Sequence, residues 1–345
     1  MRSGATNPFF FTGFVVEMMT LSKWKDWSKP LLYLSRGDAS VAIAPLAMKR
    51  TRIGLCHARF LLEPYYSSDF VLRDYEPDAC MRHIVDYVFE KLHCTILDLT
   101  LPAESSSVRI LQTVCKGSST FLYQRYASGQ NGRHTVLSTE GGWDEFRATR
   151  GRNFRKYFKG LERRLDQAGS WRIVRVSCDG KDPAAIERIL AVEKMSWKNV
   201  WRKGSADENL SMILRACNRT AASEPDFKPW ACLLELNGET IGYCLVLEYK
   251  ATAVLAKTSF DDRFRGLYPG TYVLNEAIRQ LFDGGRVRTI DFATAIPFHR
   301  RWSSTRPWRL RVTMCRGKVL GAVLGFVARN PWICDVFARI HLPIL

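Results

Sequence analysis

Two apolar runs separated by the dipeptide Asn237-Gly238 constrain the fold of this chain more than any other feature. The runs comprise residues 231–236 and 240–249. Asn-Gly favours a two-residue type I′ turn, because both central residues of that turn need a positive φ. The sequence therefore predicts a tight β-hairpin in the C-terminal half of the chain.

A third strand, a loop, a helix and a fourth strand are predicted to follow this hairpin. Residues 253–259 and 287–292 have the β-branched and apolar composition of strands. Between them, apolar residues recur at helical spacing from Tyr272 until Asp283-Gly284-Gly285 ends the helix. The loop at 260–267 leads into the start of this helix. Because free N–H groups at a helix start bind anions, we expect a phosphate-bearing ligand there.

The order of these elements and the sequence of the loop resemble the GNAT acyltransferase fold. The usual GNAT loop signature is Arg/Gln-x-x-Gly-x-Gly/Ala, and this chain matches it partly in two registers, one beginning at Arg263 and one at Arg265. The resemblance implies that acyl-CoA is the donor substrate. It also implies that the loop and helix start hold the donor pyrophosphate through Arg263, Arg265, Gly266, Tyr268, Gly270 and Thr271.

Longer segments are similar to a bacterial GNAT subgroup that includes proteins linked to cellulose and exopolysaccharide synthesis. These segments are residues 257–262, 267–270, 289–292 and 298–302. The subgroup is similar in turn to the Fem-type aminoacyltransferases. This chain departs from the subgroup in two places, with Phe298-His299 where Tyr-Lys is usual and Ala293-Thr294-Ala295 where a glycine is usual. Both departures lie near the expected site, so the resemblance does not identify the acceptor.

The pattern of strands and helix also occurs 200 residues earlier in the chain. A turn at Gly37-Asp38 separates two apolar runs, residues 77–92 are predicted to be helical, and residues 95–98 mirror residues 289–291. We therefore predict an α/β fold (α+β, mixed sheet) made of two GNAT-like domains in tandem. The predicted parts are a domain without a donor loop at 1–140, a basic helical connector at 141–170 and a donor-binding domain at 171–345.

Basic residues outnumber acidic ones in the chain as a whole. There are 51 Lys and Arg against 34 Asp and Glu, a formal charge of +17, so we expect an anionic partner: CoA, nucleic acid or an acidic membrane surface. Eight basic residues lie between Arg147 and Arg164 in the predicted connector. Two interpretations of this stretch are open. It is either a solvated helix face or a strip that binds the phosphates of RNA, CoA or lipid headgroups.

The chemistry implied by the resemblance is transfer of an acyl group from a thioester, or from an aminoacyl ester of tRNA, to an amine. Such an enzyme places the donor carbonyl beside the amine, stabilises an oxyanion and takes a proton. Asp291 and His299 are the candidates for the proton, and Lys257 is the candidate for substrate charge or the oxyanion. Each has a structural alternative: Asp291 could cap a turn, His299 could lie at the surface, and Lys257 could pair with Asp261 or Asp262.

Other chemistries have little support in the sequence. It contains no Gly-x-Ser-x-Gly elbow, no phosphate-binding Gly-x-x-x-x-Gly-Lys-Ser/Thr and no His or Cys cluster for a metal, so we expect no metal cofactor. The ten cysteines include no Cys-x-x-Cys pair and are typical of reduced thiols in a cytoplasmic protein. No signal peptide is predicted. No apolar run reaches the roughly 20 residues of a membrane-spanning helix.

The preferred hypothesis is therefore a cytoplasmic N-acyltransferase with a small-molecule or polysaccharide-precursor amine as acceptor. Two alternatives stay open: a Fem-like enzyme that uses aminoacyl-tRNA, which the charge favours, and a catalytically inactive basic protein that binds a membrane or RNA. The amphipathic tail at 331–343 either docks on the protein or lies on a membrane surface. Trp197 and Trp201, both next to basic residues, either bind a substrate or pack in the protein.

Overall fold

The structure, a computed structural model, describes most of the chain between residues 14 and 326. The described residues are 14–15, 17, 19–20, 25–36, 39–51, 54–61, 69–72, 76–116, 118–127, 132–198, 205–317, 320–323 and 326, with only the backbone considered at 39–41 and 205–207. Three predicted features lie outside them: the turn at Gly37-Asp38, Trp201 and the tail at 331–343.

The chain divides into two compact units, each with one mixed sheet. The first unit comprises residues 22–133 and 307–345, and the second comprises residues 134–306; the N-terminal pieces 1–5 and 6–21 belong to the first and second unit respectively. These limits differ from the predicted boundaries at 140 and 171. The chain enters the second unit earlier than expected and returns to the first unit after residue 306.

The first unit has the strand order β1-β2-β3-β5-β13-β6, with β4 paired to β2. The first three strands are antiparallel, β5 is parallel to β3, and β13 lies antiparallel between β5 and β6. The strands are β1 (Leu31–Arg36), β2 (Ala39–Arg50), β3 (Cys56–Phe60), β4 (Val71–Leu72), β5 (Ile96–Pro102), β6 (Thr120–Tyr126) and β13 (Arg309–Arg316), and the helices are α1 (Pro77–Glu90) and α2 (Ser106–Cys115).

The second unit has the strand order β7-β12-β11-β10-β9-β8. Its strands are β7 (Val136–Ser138), β8 (Trp171–Ser177), β9 (Phe227–Leu236), β10 (Glu239–Tyr249), β11 (Thr252–Phe260) and β12 (Thr289–Asp291). Its α-helices are α3 (Gly142–Thr149), α4 (Arg152–Ala168), α5 (Pro183–Lys194), α6 (Ser205–Ala221) and α7 (Pro269–Asp283), and two 3-10 helices span Asp262–Leu267 and Pro297–Arg301.

The order of elements is the same in the two units. Each has three antiparallel strands, a helix and a strand parallel to the third, with β1, β2, β3, α1 and β5 in one and β9, β10, β11, α7 and β12 in the other. The parallel strand then has an antiparallel neighbour from the distant half of the sequence, β13 beside β5 and β7 beside β12. These added strands cover backbone edges that would otherwise be exposed.

The hairpin predicted at Asn237-Gly238 is confirmed. Both residues have a positive φ, 51° at Asn237 and 84° at Gly238, as a type I′ turn requires. The ladder between β9 and β10 begins directly beside the turn, with Leu236 opposite Glu239. Both strands are buried over most of their length, so the hairpin forms the centre of the second sheet.

Helices α4 and α7 cover one face of this sheet. Leu161 and Leu165 on α4 and Val273 and Ile278 on α7 belong to the same buried cluster. The basic residues of α4 lie on its exposed side. Helix α4 is therefore amphipathic in the sense expected, with an apolar side on the core and a charged side away from it.

Candidate functional site

A wedge-shaped opening forms where β11 leaves its parallel partner β12. The two strands pair over only three residues, the last pair being Val254 with Asp291. Beyond Val254, β11 continues to Phe260, and no described strand pairs with that edge. On its other edge, β11 has a bulge opposite the Leu245–Val246 step of β10. A bulge bends the strand that contains it, which suits the divergence of β11 from β12.

The start of α7 lies next to strand β11. Tyr268 is the N-cap in a left-handed conformation, with φ 55°, and Pro269 is the first helical residue. Proline fits that position because its fixed φ is helical and no N–H needs a partner there. The N–H of Thr271 donates to the Tyr268 carbonyl at 3.0 Å. Among the described residues, the N–H of Gly270 has no hydrogen-bond acceptor and is therefore available to an anion.

A cavity of about 330 Å³ lies at this helix start. It is lined by Trp197, Phe260, Arg265, Tyr268, Gly270 and Thr271. Four of these six residues are predicted donor-binding residues, and Trp197 is the one predicted substrate-binding tryptophan within the described residues. A Cβ at Gly270 would lie 2.9 Å from a ring carbon of Phe260. Glycine at 270 thus lets the helix start approach strand β11, a role that we had not expected from the sequence.

The two predicted donor-binding arginines have acidic partners within their own loop. Arg263 donates to Asp261 at 3.0 and 3.1 Å and also pairs with Glu239. Arg265 donates to Asp262 at 3.0 and 3.1 Å, yet its side chain also lines the cavity. Arg263 therefore stabilises the conformation of the loop. Arg265, which lines the cavity, is the arginine that a donor phosphate could contact.

Arg164 is a neighbour of the loop that sequence reasoning missed. Its guanidinium donates to the Gly266 carbonyl at 3.3 Å and lies 5.4 Å from the centre of the Tyr268 ring. Gly266 itself does not line the cavity. Arg164 precedes the loop by about a hundred residues, and no local pattern distinguishes it from the other basic residues of α4.

Asp291 ends β12, and its polar contacts include Ala293 and His134. One carboxylate oxygen accepts the N–H of Ala293 at 2.7 Å, which confirms the turn-capping alternative. The other lies 3.1 Å from Nδ1 of His134, a residue without a role in the sequence-based hypothesis. Ala293 has φ 59°, so it adopts a left-handed conformation at the place where the resembling subgroup usually has glycine.

His299 is buried, so the alternative that it lies at the surface was wrong. Only 8% of the residue is exposed. Nδ1 lies 3.0 Å from the Thr294 carbonyl. Because a carbonyl only accepts, Nδ1 has the proton and Nε2 is the basic atom of the ring. Burial lowers the pKa of His299 to about 4, so the imidazole is neutral at physiological pH.

Lys257 pairs with an acidic residue that the sequence did not suggest. Its Nζ lies 2.9 Å from Oε1 of Glu193 on α5, and the Glu193 side chain is fully buried. The hydroxyl of Tyr243 donates to the other Glu193 oxygen at 2.7 Å. Asp261 and Asp262, the partners named in the structural alternative, pair with arginines instead. Lys257 therefore neutralises a buried carboxylate on the side of the sheet that faces α5.

The described residues form neither a metal site nor a membrane-spanning helix. In the part of the chain that the structure describes, no three His, Cys, Asp or Glu side chains are grouped so that they could hold a metal ion. Over the same residues, no helix has the length and apolar character needed to span a bilayer.

Comparison with known proteins finds a family model that matches part of the second unit and solved structures that share the fold of the chain. Residues 152–302 match the family model described as "Acetyltransferase (GNAT) domain". No curated protein matches the chain in sequence.

Similar solved structures extend over nearly the whole chain. FemX has a TM-score of 0.58 at 11% identity, over 89% of this chain and 92% of its own. A C-terminal domain from Agrobacterium fabrum, of a protein described as a lysylphosphatidylglycerol synthetase, has a TM-score of 0.55 at 10% identity, over 91% of this chain and 90% of its own. At such identities the similarity shows the fold alone. The chain thus shares its two-sheet fold with FemX, and its residues 152–302 match the GNAT domain model.

Proposed function

We propose that this protein is an N-acyltransferase that moves an acyl group from acyl-CoA, or from another acyl thioester, to an amine. The observation that supports the proposal most strongly is the cavity at the start of α7, next to the strand that diverges from β12. It combines an available N–H at Gly270, the guanidinium of Arg265 and the aromatic rings of Trp197 and Tyr268. A donor needs this combination of anion-binding groups and apolar walls.

The residues of the cavity fit the phosphate part of an acyl-CoA donor. The N–H of Gly270 and the start of α7 would hold the pyrophosphate, with Arg265 as the nearest cation. Bound acyl-CoA would supply the activated acyl group. Backbone N–H groups of β11 beyond Val254, on the edge that no described strand pairs with, are the candidates that we assign to the oxyanion. Lys257 is then a positioning residue, since its charge is already used by Glu193.

His299 and Asp291 are the residues that we assign to the proton of the acceptor amine. Nε2 of His299 is the basic atom of a neutral imidazole, and Asp291 is near enough to influence its pKa. His134 fixes the Asp291 carboxylate at 3.1 Å. A neutral base close to the opening could accept the proton that the amine loses on acylation.

The acceptor that we propose is a small-molecule or polysaccharide-precursor amine. The choice follows the overall resemblance to the exopolysaccharide-associated subgroup, and transfer assays with a panel of amines would identify the individual amine. We also propose a cytoplasmic location. All nine cysteines of the described residues are free thiols, which suits a reducing compartment where acyl-CoA is available.

Substitutions at two glycines test the donor site. Gly270→Ala places a Cβ against the Phe260 ring, which lines the cavity, whereas Gly266→Ala adds a Cβ that meets no atom within 4 Å. We expect the Kd for acetyl-CoA, measured by titration calorimetry, to rise about tenfold in Gly270→Ala, a loss of about 1.4 kcal/mol. Gly266→Ala should bind as the unchanged protein does.

Transfer assays with different donors test the reaction. The purified protein is given acetyl-CoA, longer acyl-CoA or aminoacyl-tRNA together with a panel of amines, and acylated products are identified by mass spectrometry. Products from acyl-CoA that diminish in Gly270→Ala would support the proposal. Products from aminoacyl-tRNA alone would contradict it in favour of a Fem-like enzyme. Donor binding without any product would favour the inactive binding protein.

A further inference from the structure

A second concave site in this unit is lined by several cations, including five that have no acidic partner among the described residues. It is a groove of about 650 Å³ between α3, α4 and α7. Five exposed basic side chains line it: Arg147, Arg152, Lys156, Lys159 and Arg163. Within the described part of the chain, none of the five forms an ion pair or donates a side-chain hydrogen bond. We name this feature the basic groove.

Two other cations that line the basic groove, Arg155 and Arg279, have partners within the protein. Arg155 donates to the carbonyl of Arg150 at 2.8 Å. This carbonyl belongs to the C-cap residue of α3. Arg279 pairs with Glu276, the carboxylate on the α7 side of the groove, at 2.7 Å. The remaining positive charges repel one another at close range, so an anionic ligand would stabilise the groove.

The cations on α4 form a single row. Arg152, Lys156, Lys159 and Arg163 follow one another at intervals of four, three and four residues, which places them on one side of the helix. Eleven residues at 1.5 Å each give the row a length of about 16 Å. That is too long for a single phosphate group and suits a chain of several phosphates.

The concave shape of the basic groove and its aromatic lining favour a nucleic acid over a membrane surface as the phosphate-bearing ligand. A flat bilayer would touch the rims of a concave groove rather than its lining. Trp143 and Phe154, both partly exposed, line the same groove and offer ring surfaces on which bases can stack. We propose that the basic groove binds a single-stranded nucleic acid, with its phosphates on the α4 row and bases against these rings.

The basic groove is separate from the proposed donor cavity. The two share no lining residue, and on α7 the groove is lined from Asn275 onward whereas the cavity is lined by Gly270 and Thr271. The inference therefore does not depend on the identity of the acyl donor.

Salt dependence of binding tests the proposal on the full chain. The probe is a fluorescently labelled twelve-nucleotide oligouridylate, measured by anisotropy between 50 and 200 mM salt. Each neutralised phosphate of a single strand contributes a slope of about −0.7, so five contacts give about −3.5 and an affinity loss of about 100-fold over this range.

A quadruple variant removes the row on α4. Replacing Arg152, Lys156, Lys159 and Arg163 by Gln should flatten the slope to about −0.7 and weaken binding at 50 mM salt at least 100-fold. The fold should be kept, because the four side chains are exposed and glutamine is a good helix former. Circular dichroism checks this.

The matched control loses the same charge elsewhere on the unit. Lys181, Lys228, Lys250 and Arg288 are exposed and do not line the basic groove. With all four replaced by Gln, oligouridylate affinity should stay within about threefold of the unchanged protein. An equal loss in both variants would overturn the proposal in favour of a non-specific charge effect.

Two competing ligands complete the test. Tight binding to vesicles of acidic phospholipid, without binding to oligouridylate, would overturn the proposal in favour of a membrane surface. Inorganic polyphosphate that binds as tightly as oligouridylate would show that bases contribute nothing, and would also overturn it. The variant Trp143→Leu, which removes one ring surface, should weaken oligouridylate binding and leave polyphosphate binding unchanged.

Discussion

Protonation of His299 should destabilise the folded protein in mild acid, and the replacement His299→Gln should abolish this effect. Burial lowers the pKa of His299 from 6.5 to about 4 in the folded state. The unfolded chain therefore binds more protons than the folded chain between these two pH values. The contribution of neutral His299 to stability is fully present above pH 6.5 and is lost as the pH falls towards 4.

The magnitude follows from the difference between the two pKa values. A difference between 6.5 and about 4 corresponds to about 3 kcal/mol at 1.36 kcal/mol for each pKa unit. Glutamine has no proton to gain in this range. The free energy of unfolding of the unchanged protein should thus fall by about 3 kcal/mol more than that of His299→Gln between pH 7 and pH 4.

Urea denaturation followed by circular dichroism at pH 7, 6, 5 and 4 measures this difference. Comparing the two proteins at each pH cancels the contributions of the other titrating groups, provided that the replacement leaves them in place. Free energies of unfolding that decrease in parallel would refute the assigned burial of a neutral imidazole. Activity offers a second measurement: if His299 takes the proton, kcat/KM should lose its acid limb near pH 4 and should be lower at every pH in His299→Gln.

Two further substitutions test neighbouring features. Ala293→Gly removes a side chain from a left-handed residue and should raise the free energy of unfolding by about 0.5 to 1 kcal/mol, whereas Ala295→Gly, where φ is not positive, should lower it by a similar amount. Lys257→Met leaves the buried Glu193 carboxylate without its cation and should cost about 3 kcal/mol, most of it regained when Glu193→Gln is added. Urea denaturation measures both. A loss below 1 kcal/mol in Lys257→Met would show that Lys257 is not needed for stability.

Much of the donor side of the site was predictable because it depends on residues close together in the chain. The Asn237-Gly238 turn, the strands on either side of it and the start of α7 follow from φ preferences and from periodicity within a few residues. Four of the predicted donor residues line the cavity at that helix start. The resemblance to GNAT proteins added the expected ligand but not the packing of Gly270 against Phe260.

The acid–base side of the site was less predictable because its contacts join distant parts of the chain. The pairs His134–Asp291 and Lys257–Glu193 connect residues whose separation in sequence leaves no periodic signal. The burial of His299, which determines its pKa, depends equally on the packing around it.

The sequence by itself determined the local elements of this protein: the Asn237-Gly238 hairpin, the amphipathic side of α4 and the position where α7 starts. These depend on backbone preferences and side-chain patterns over a few turns of chain. Only the tertiary structure decided that β7 and β13 complete sheets in the opposite half of the chain. It also decided that, among the described residues, five basic side chains around one groove have no acidic partner. Both depend on the path of the backbone through space, because strand edges and charges interact with whatever segment lies beside them, however far it is in sequence.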